Sequence, residues 1–265
     1  MILEIIIVAL LGLSIGSFLN VVIIRLPRSR SIVRPSSRCG FCRTPLRLSE
    51  NIPVLGFFLS GGLCRRCGHP FSFRYAFVEL LTGVLALAVY SVFGMGLTAV
   101  FIFCFVCTLI AISFIDLDLR LIPDSLSIGG WVLALFLIGI QPEYFGIFHA
   151  SGPLTEMGWS AFMQACFCSI LGYGLFWLMA RAYYFLRKEE GLGGGDLKLM
   201  GLIGAVLGLQ GLVTTILVGS LLGALLGLAN MILRGQSKHS QIPFGPFLSM
   251  GALLSTLHLD RFLWP

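Results

Sequence analysis

Charge is what this sequence has least of: of 265 residues only 11% are Asp, Glu, Lys or Arg, and the acids number 12. Soluble domains carry about a quarter charged residues, so an ordinary water-soluble globule is excluded. A glycine-rich dinucleotide fingerprint following a strand pattern is also missing, which removes a Rossmann-type cofactor fold. No long internal repeat and no low-complexity tract is present, so solenoids and disordered tails drop out as well. The net charge of +6 would suggest nucleic acid for a soluble protein. In so apolar a chain the basic residues are first of all topology signals, and no nucleic-acid partner is expected.

What is present is hydrophobic length. The residues are 57% hydrophobic and the mean hydropathy is +0.95. Runs such as Leu97 to Ile115 and Leu197 to Leu233 suit a lipid bilayer, where each backbone must pair within its own helix. The expected fold is an all-α polytopic membrane protein. Ile2 to Ile24 reads as a first span that is retained, because no small-residue cleavage site closes it. Further apolar segments cover 76–93, 97–115, 125–140, 159–186 and 244–257. As one helix, 197–233 would be about 55 Å long against a hydrocarbon core of about 30 Å, so it must fold back, with the turn expected near Gln210 and Gly211. The count is then about eight spans. The domain reading is a first transmembrane helix over 1–24, a cytoplasmic insert over 25–75 and a membrane-embedded core over 76–265.

Orientation follows from the cations. With the first loop inside, every Lys and Arg except Arg261 falls in the loops 25–75, 116–124, 187–196 and 232–243 or at adjoining helix ends. The positive-inside rule makes that side cytoplasmic and places both termini outside. Gly219, Gly223 and Gly227 recur every four residues, as do Gly204 and Gly208, a spacing that predicts close helix packing. Cys104, Cys107, Cys166 and Cys168 lie in apolar runs and read as packing residues.

The insert carries ten arginines between Arg25 and Arg74 and two CxxC pairs, Cys39 with Cys42 and Cys64 with Cys67. Each CxxC turn can bring two thiolates to one cation, and two turns complete the tetrahedral site of a structural zinc. A pair of disulfides is the alternative, disfavoured in a reducing cytoplasm. His69 is a further candidate ligand. So small a segment needs a staple of this kind.

The acids are informative because they are few. Asp116, Asp118 and Asp124 stand where one apolar run ends and the next begins on the cytoplasmic side. Asp124, after Pro123, suits an N-cap of the following helix. Asp118 is expected to face water or pair with Arg120, while Asp116 lies deepest, where an ionisable group points to function. On the same face Gly193, Gly194 and Gly195 precede Asp196, as in a flexible turn or a backbone that lets a peptide approach. Two carboxylates sharing a water cannot both ionise cheaply, so one keeps a proton while the other acts as base. That arrangement suits peptide hydrolysis; the sequence does not say which aspartate takes which role.

Taken together these residues resemble the bacterial type IV prepilin peptidases, the bifunctional leader peptidase and N-methyltransferase family of intramembrane GxGD aspartyl proteases. The resemblance rests on Gly16 to Val22 followed by Arg25-Leu26-Pro27, on Asn51-Ile52-Pro53, on the two CxxC pairs, on Arg74-Tyr75 with Glu79, on Asp116 to Asp124, and on Gly193 to Lys198. It implies Asp116 and Asp196 as the catalytic pair, supported by Gly193, Gly194 and Gly195. It further implies cleavage of prepilins and pseudopilins after a glycine that ends a short basic leader, followed by methylation of the new N-terminus with S-adenosylmethionine at the bacterial inner membrane. Without a Rossmann fingerprint the methyl donor needs another kind of pocket, for which Glu79 and Asn51 are candidates. Glu189 and Glu190 are candidates for attracting the basic leader. A transport protein with intramembrane acids, or a scaffold recruiting partners through its zinc loop, is the competing reading; acids at span ends on one face favour hydrolysis over transport. The oligomeric state is not legible.

Overall fold

The computed structural model describes residues 2–149, 159–189, 193–234 and 243–257. Glu190, Gly191, Leu192, the stretch 235–242 and Arg261 lie outside the described residues. Among the described residues all regular elements are helical, and extended pairing is limited to two isolated bridges, Arg38 with Pro45 and Leu63 with Pro70. The all-α expectation is met. The chain divides into two compact units, residues 1–111 and 112–265.

The first unit contains α1 (Ile2–Arg25), the short α2 (Leu55–Leu59), α3 (Arg74–Phe93) and the start of α4 (Leu97–Leu119). α1 lies tightly on α3 because glycines leave room for it. A Cβ on Gly12 would stand 2.6 Å from Ala86 Cβ, and one on Gly16 would stand 2.7 Å from Glu79 Cα. Along the same seam the buried Asn20 donates from Nδ2 to the Tyr75 carbonyl oxygen at 3.0 Å. A polar side chain inside an apolar helix pair is thereby satisfied.

The second unit contains the end of α4, then α5 (Asp124–Ile140), α6 (Pro142–Phe145), α7 (Ala161–Arg187), α8 (Gly194–Arg234) and α9 (Gly245–Thr256). α8 is interrupted at Gly208, with φ 67° and ψ −163°. A Cβ on Gly172 of α7 would meet both the Met200 carbonyl oxygen, at 2.5 Å, and Leu212 Cδ2, at 2.8 Å. In an unbroken helix those two residues would be about 18 Å apart. The run therefore folds back, as its length requires, near the expected place, with the break at Gly208, two residues before Gln210. The physical reason is the left-handed backbone at the break, open to glycine and costly for glutamine.

Glycine contacts also account for how α8 is held. Trp131 of α5 covers Gly201 so closely that a Cβ there would lie 2.6 Å from Cζ3. Gly204 abuts the Cys168 backbone of α7, and Gly219 and Gly223 face Leu248 and Phe244 around α9. Gly208 leaves the expected packing stripe because it makes the turn.

Among the described residues five helices are long and apolar enough to cross a membrane: Ile2–Arg28, Arg74–Phe93, Leu97–Leu119, Ala161–Arg187 and Gly194–Ala229. α5 is apolar but has 17 residues. α9 has 12 residues, about 18 Å of helix. Large apolar side chains such as Leu10, Leu80, Ile170 and Leu178 are exposed along α1, α3 and α7, a surface suited to lipid.

Candidate active site

Asp116 sits in the last turn of α4, whose helix runs on to Leu119, and only 6% of it is exposed. The helix ends with Arg120 in the left-handed region, φ 53°, its N–H donating to the Asp116 carbonyl oxygen at 2.8 Å. The Asp116 side chain is held separately: Oδ2 accepts a hydrogen bond from the Gly245 N–H, at the start of α9, at 3.0 Å. Asp196 is in the first turn of α8, is 8% exposed, and donates its own N–H to the Gly193 carbonyl oxygen at 3.1 Å. The two side chains lie within electrostatic reach of each other. Two acids of separate helices are thus brought together out of water, where unpartnered charge is costly.

The segments bearing the two acids are stitched together beside them. A Cβ on Gly195 would stand 2.7 Å from Ile122 Cβ, so the glycine stretch presses directly on the connection between α4 and α5. Gly194 and Gly195 are helical. Close approach, not unusual backbone angles, is what requires glycine at 195. Asp124 differs from its expected role: α5 has no side-chain cap, and Asp124 Oδ1 instead accepts from Lys198 Nζ at 2.6 Å. The lysine lies two residues beyond Asp196 on α8, so this ion pair ties α5 to the helix bearing the second acid. Asp118 and Glu189 are exposed.

In the first unit the four cysteines converge. Their sulfurs all lie within 4.8 Å of one another, with Cys39 to Cys67 and Cys42 to Cys64 each at 3.8 Å. Disulfide sulfurs would be about 2.05 Å apart, whereas sulfurs on a tetrahedral zinc at about 2.3 Å stand about 3.8 Å apart. The cluster could hold a metal ion. Two turns of one build present it: Cys39 N–H donates to Thr44 O and Arg43 N–H to Cys39 O, while Cys64 N–H donates to His69 O and Gly68 N–H to Cys64 O. Arg43 at φ 58° and Gly68 at φ 68° occupy the same left-handed position of each turn. His69 is outside this group of four; it stacks on Phe41 with ring centroids 4.9 Å apart.

Hydrogen bonding favours thiolate at two of the four positions. The Thr44 side chain, then its backbone, brings Cys42 down to about 6. Backbone hydrogen bonds from Cys67 and Arg66 lower Cys64. A backbone bond at His69 acts downward on Cys67 too, but desolvation and the neighbouring thiols push it up to about 11. Four crowded thiols without a cation cannot all ionise, which is the condition a metal ion removes.

Asn51 and Glu79 share a cavity of about 800 Å³ in this unit, lined also by five arginines, Arg34 and Arg38 among them. Glu79 is buried, and its Oε2 accepts from the Val54 N–H at 2.6 Å. Val54 has φ 62°, an unusual conformation for a β-branched residue, and stands in the chain between the cavity-lining Ile52 and Gly56.

Sequence reasoning missed Gly245 and the Lys198–Asp124 pair. The first had a signal in Phe244-Gly245-Pro246, a Gly-Pro helix start that can bring a bare backbone N–H close to a neighbour. The second had none, since its residues lie 74 positions apart.

Helices of spanning length with two buried acids near the ends of α4 and α8 define a membrane protein with an acid pair, and the first unit adds a cysteine cluster between α1 and α3. Residues 10–93 match the family model described as Bacterial Peptidase A24 N-terminal domain, and residues 103–228 match the Type IV leader peptidase family. A prepilin leader peptidase/N-methyltransferase from Aeromonas hydrophila is 35% identical, covering 96% of this chain and 90% of its own. The proteins of that description from Pseudomonas aeruginosa and Legionella pneumophila are 34% and 33% identical, covering 95% and 97% of this chain and 89% and 92% of their own. No solved structure gives a significant match. The chain belongs to the type IV leader peptidase family and is an enzyme of that peptidase class.

Proposed function

We propose that this protein cleaves the basic leader of type IV prepilins and pseudopilins after a glycine, using Asp116 and Asp196, and then methylates the new N-terminal amine. The observation that carries the reading is the burial of both aspartates within electrostatic reach of each other, inside the region matching the peptidase family. One carboxylate takes a proton from water as the water oxygen attacks the scissile carbonyl carbon. The other, protonated, polarises the carbonyl oxygen. As the C–N bond breaks, a proton passes from the pair to the leaving amine. Gly193 and Gly194 give the substrate backbone room beside Asp196, and Gly195 supports the site by letting Ile122 pack against the glycine stretch.

The topology that serves this chemistry has eight spans, counting the two arms of α8 separately and including α5 and α9. Both acids and the insert face the bacterial cytoplasm, and both termini face outward, in keeping with the distribution of Lys and Arg. A substrate with a basic leader in the cytoplasm and an apolar helix in lipid then has its scissile bond at the acids' depth.

Cys39, Cys42, Cys64 and Cys67 hold a structural zinc, for which their sulfur spacing is suited. S-adenosylmethionine supplies an electrophilic methyl group. The cavity bearing Asn51 and Glu79 fits such a ligand in size and chemistry, with arginines for a carboxylate and the rings of Phe57, Phe71 and Tyr75 for a base.

The test uses purified protein in detergent and lipid, a prepilin, and labelled S-adenosylmethionine. Asp116→Asn and Asp196→Asn are expected to abolish cleavage, Asp118→Asn to weaken it, and Cys39→Ser to impair methylation most. Full cleavage by Asp116→Asn with none by Asp118→Asn would move the catalytic role to Asp118.

A further inference from the structure

The Asp116 carboxylate meets a backbone, not a side chain. Gly245 N–H donates to Oδ2 at 3.0 Å, and a Cβ on Gly245 would stand 2.8 Å from that oxygen, 3.3 Å from Cγ and 3.4 Å from Asp116 Cβ. The contact is therefore closed to any residue with a side chain unless one of the two moves. Pro246 follows and has no N–H to offer, so Gly245 supplies the donor.

What fixes Gly245 in space is independent of Asp116. α9 is packed onto the second arm of α8: a Cβ on Gly251 would lie 2.9 Å from the Thr215 backbone, and Gly219 receives Leu248. Phe247, Leu248, Ser249 and Ala252 are all buried. The donor thus sits on a held element.

We infer that Gly245 is a positioning residue for peptide cleavage: its N–H locks one carboxylate oxygen of Asp116 and leaves Oδ1 as the oxygen that handles water and the proton shared with Asp196. An oxygen facing an N–H does not carry a proton toward it, so the shared proton resides on Asp116 Oδ1 or on Asp196. The inference rests on Asp116 and Asp196 being the catalytic pair.

The test compares wild type, Gly245→Ala, Pro246→Ala and Asp116→Asn, measuring kcat, KM and the pH profile of cleavage, with methylation of a pre-cleaved pilin as the control for folding. Displacement of a catalytic group by about an ångström costs about 100-fold. Gly245→Ala should lose about that much kcat, with KM unchanged, a displaced limb of the pH profile and intact methylation; Pro246→Ala should cleave nearly as wild type. Wild-type kcat and pH profile in Gly245→Ala, beside an inactive Asp116→Asn, would overturn the inference and spare the catalytic pair. Wild-type cleavage by Asp116→Asn would overturn the pair itself.

A second measurement decides the matter even where Gly245→Ala fails to fold. Labelling Phe carbonyl carbon and Gly nitrogen selects the amides of Gly94, Gly146 and Gly245, the glycines preceded by Phe. One of these resonances should shift in Asp116→Ala and not in Asp118→Ala; no shift in Asp116→Ala overturns the inference.

Discussion

The two units solve one problem, gathering costly polar groups, by opposite means. In the first, four thiols come together through two short turns of the same build, each with its own backbone hydrogen bonds. Little beyond the turns is needed to shape the cluster, and a metal ion would close it. In the second, Asp116 and Asp196 are 80 positions apart in sequence. Glycine contacts join the segments that bear them: Gly245 of α9 meets Asp116 at the end of α4, Gly219 and Gly223 of α8 seat α9, and Gly195 presses on Ile122 just beyond α4. A local site is therefore sensitive to its ligands, and a distributed site to the helix contacts around it.

That contrast can be broken most severely at the cysteines. With the zinc proposed above, a strong chelator, or Cys39→Ser with Cys64→Ser, should expose residues 25–74 to proteolysis, because classical structural zinc sites supply the folding energy of their segments. Protease mapping reads the effect. The second unit should stay protected; its collapse alongside the first would abolish the distinction.

The converse perturbation is a packing glycine. Gly204 abuts the Cys168 backbone with no space for a side chain, so Gly204→Leu must push α7 and α8 apart, at about 1–3 kcal/mol for overpacking. Thermal unfolding should register that loss, and cleavage should fall with it while the cysteine cluster keeps its capacity to bind added zinc. Unchanged stability would mean that α7 does not hold α8 in place.

The smallest expected effect separates the units by pH. His149, in the second unit, is buried, and its Nε2 lies 2.8 Å from the Ala205 carbonyl oxygen. Burial lowers its proton affinity, only partly offset by the Ala205 hydrogen bond. The fold thus favours the neutral ring: its contribution is complete above the unfolded value of about 6.5 and is lost as pH falls through that value toward the lower folded one. The melting temperature should drop by a few degrees between about pH 7 and 5, and His149→Gln should flatten the dependence. An unaltered slope in the variant would assign it to other groups.

Legibility in the sequence follows the same division. The cysteine cluster could be read from spacing alone, because a CxxC turn is local and its chemistry travels with the residue types. The aspartates were legible as scarce acids where apolar runs end, and Asp196 by its glycines. Their partners were not. A backbone donor such as Gly245 N–H shows only as a Gly-Pro helix start, which does not name Asp116 as its acceptor, and Gly195 reads as flexible until Ile122 is seen against it. Asp124 reads as a cap because local propensity favours that, but Lys198, arriving from another helix, competes for the carboxylate. The fold-back of α8 followed from length, and its position at Gly208 from a backbone angle that glycine spacing alone does not reveal.

The most direct measurement is the rate of prepilin cleavage by Asp116→Asn, Asp196→Asn and the double variant, each with methylation of pre-cleaved pilin as control. Residues acting as one unit are strongly non-additive, so both single variants should fall to the double variant's residual rate while methylation persists. Wild-type cleavage by either single variant would contradict the account.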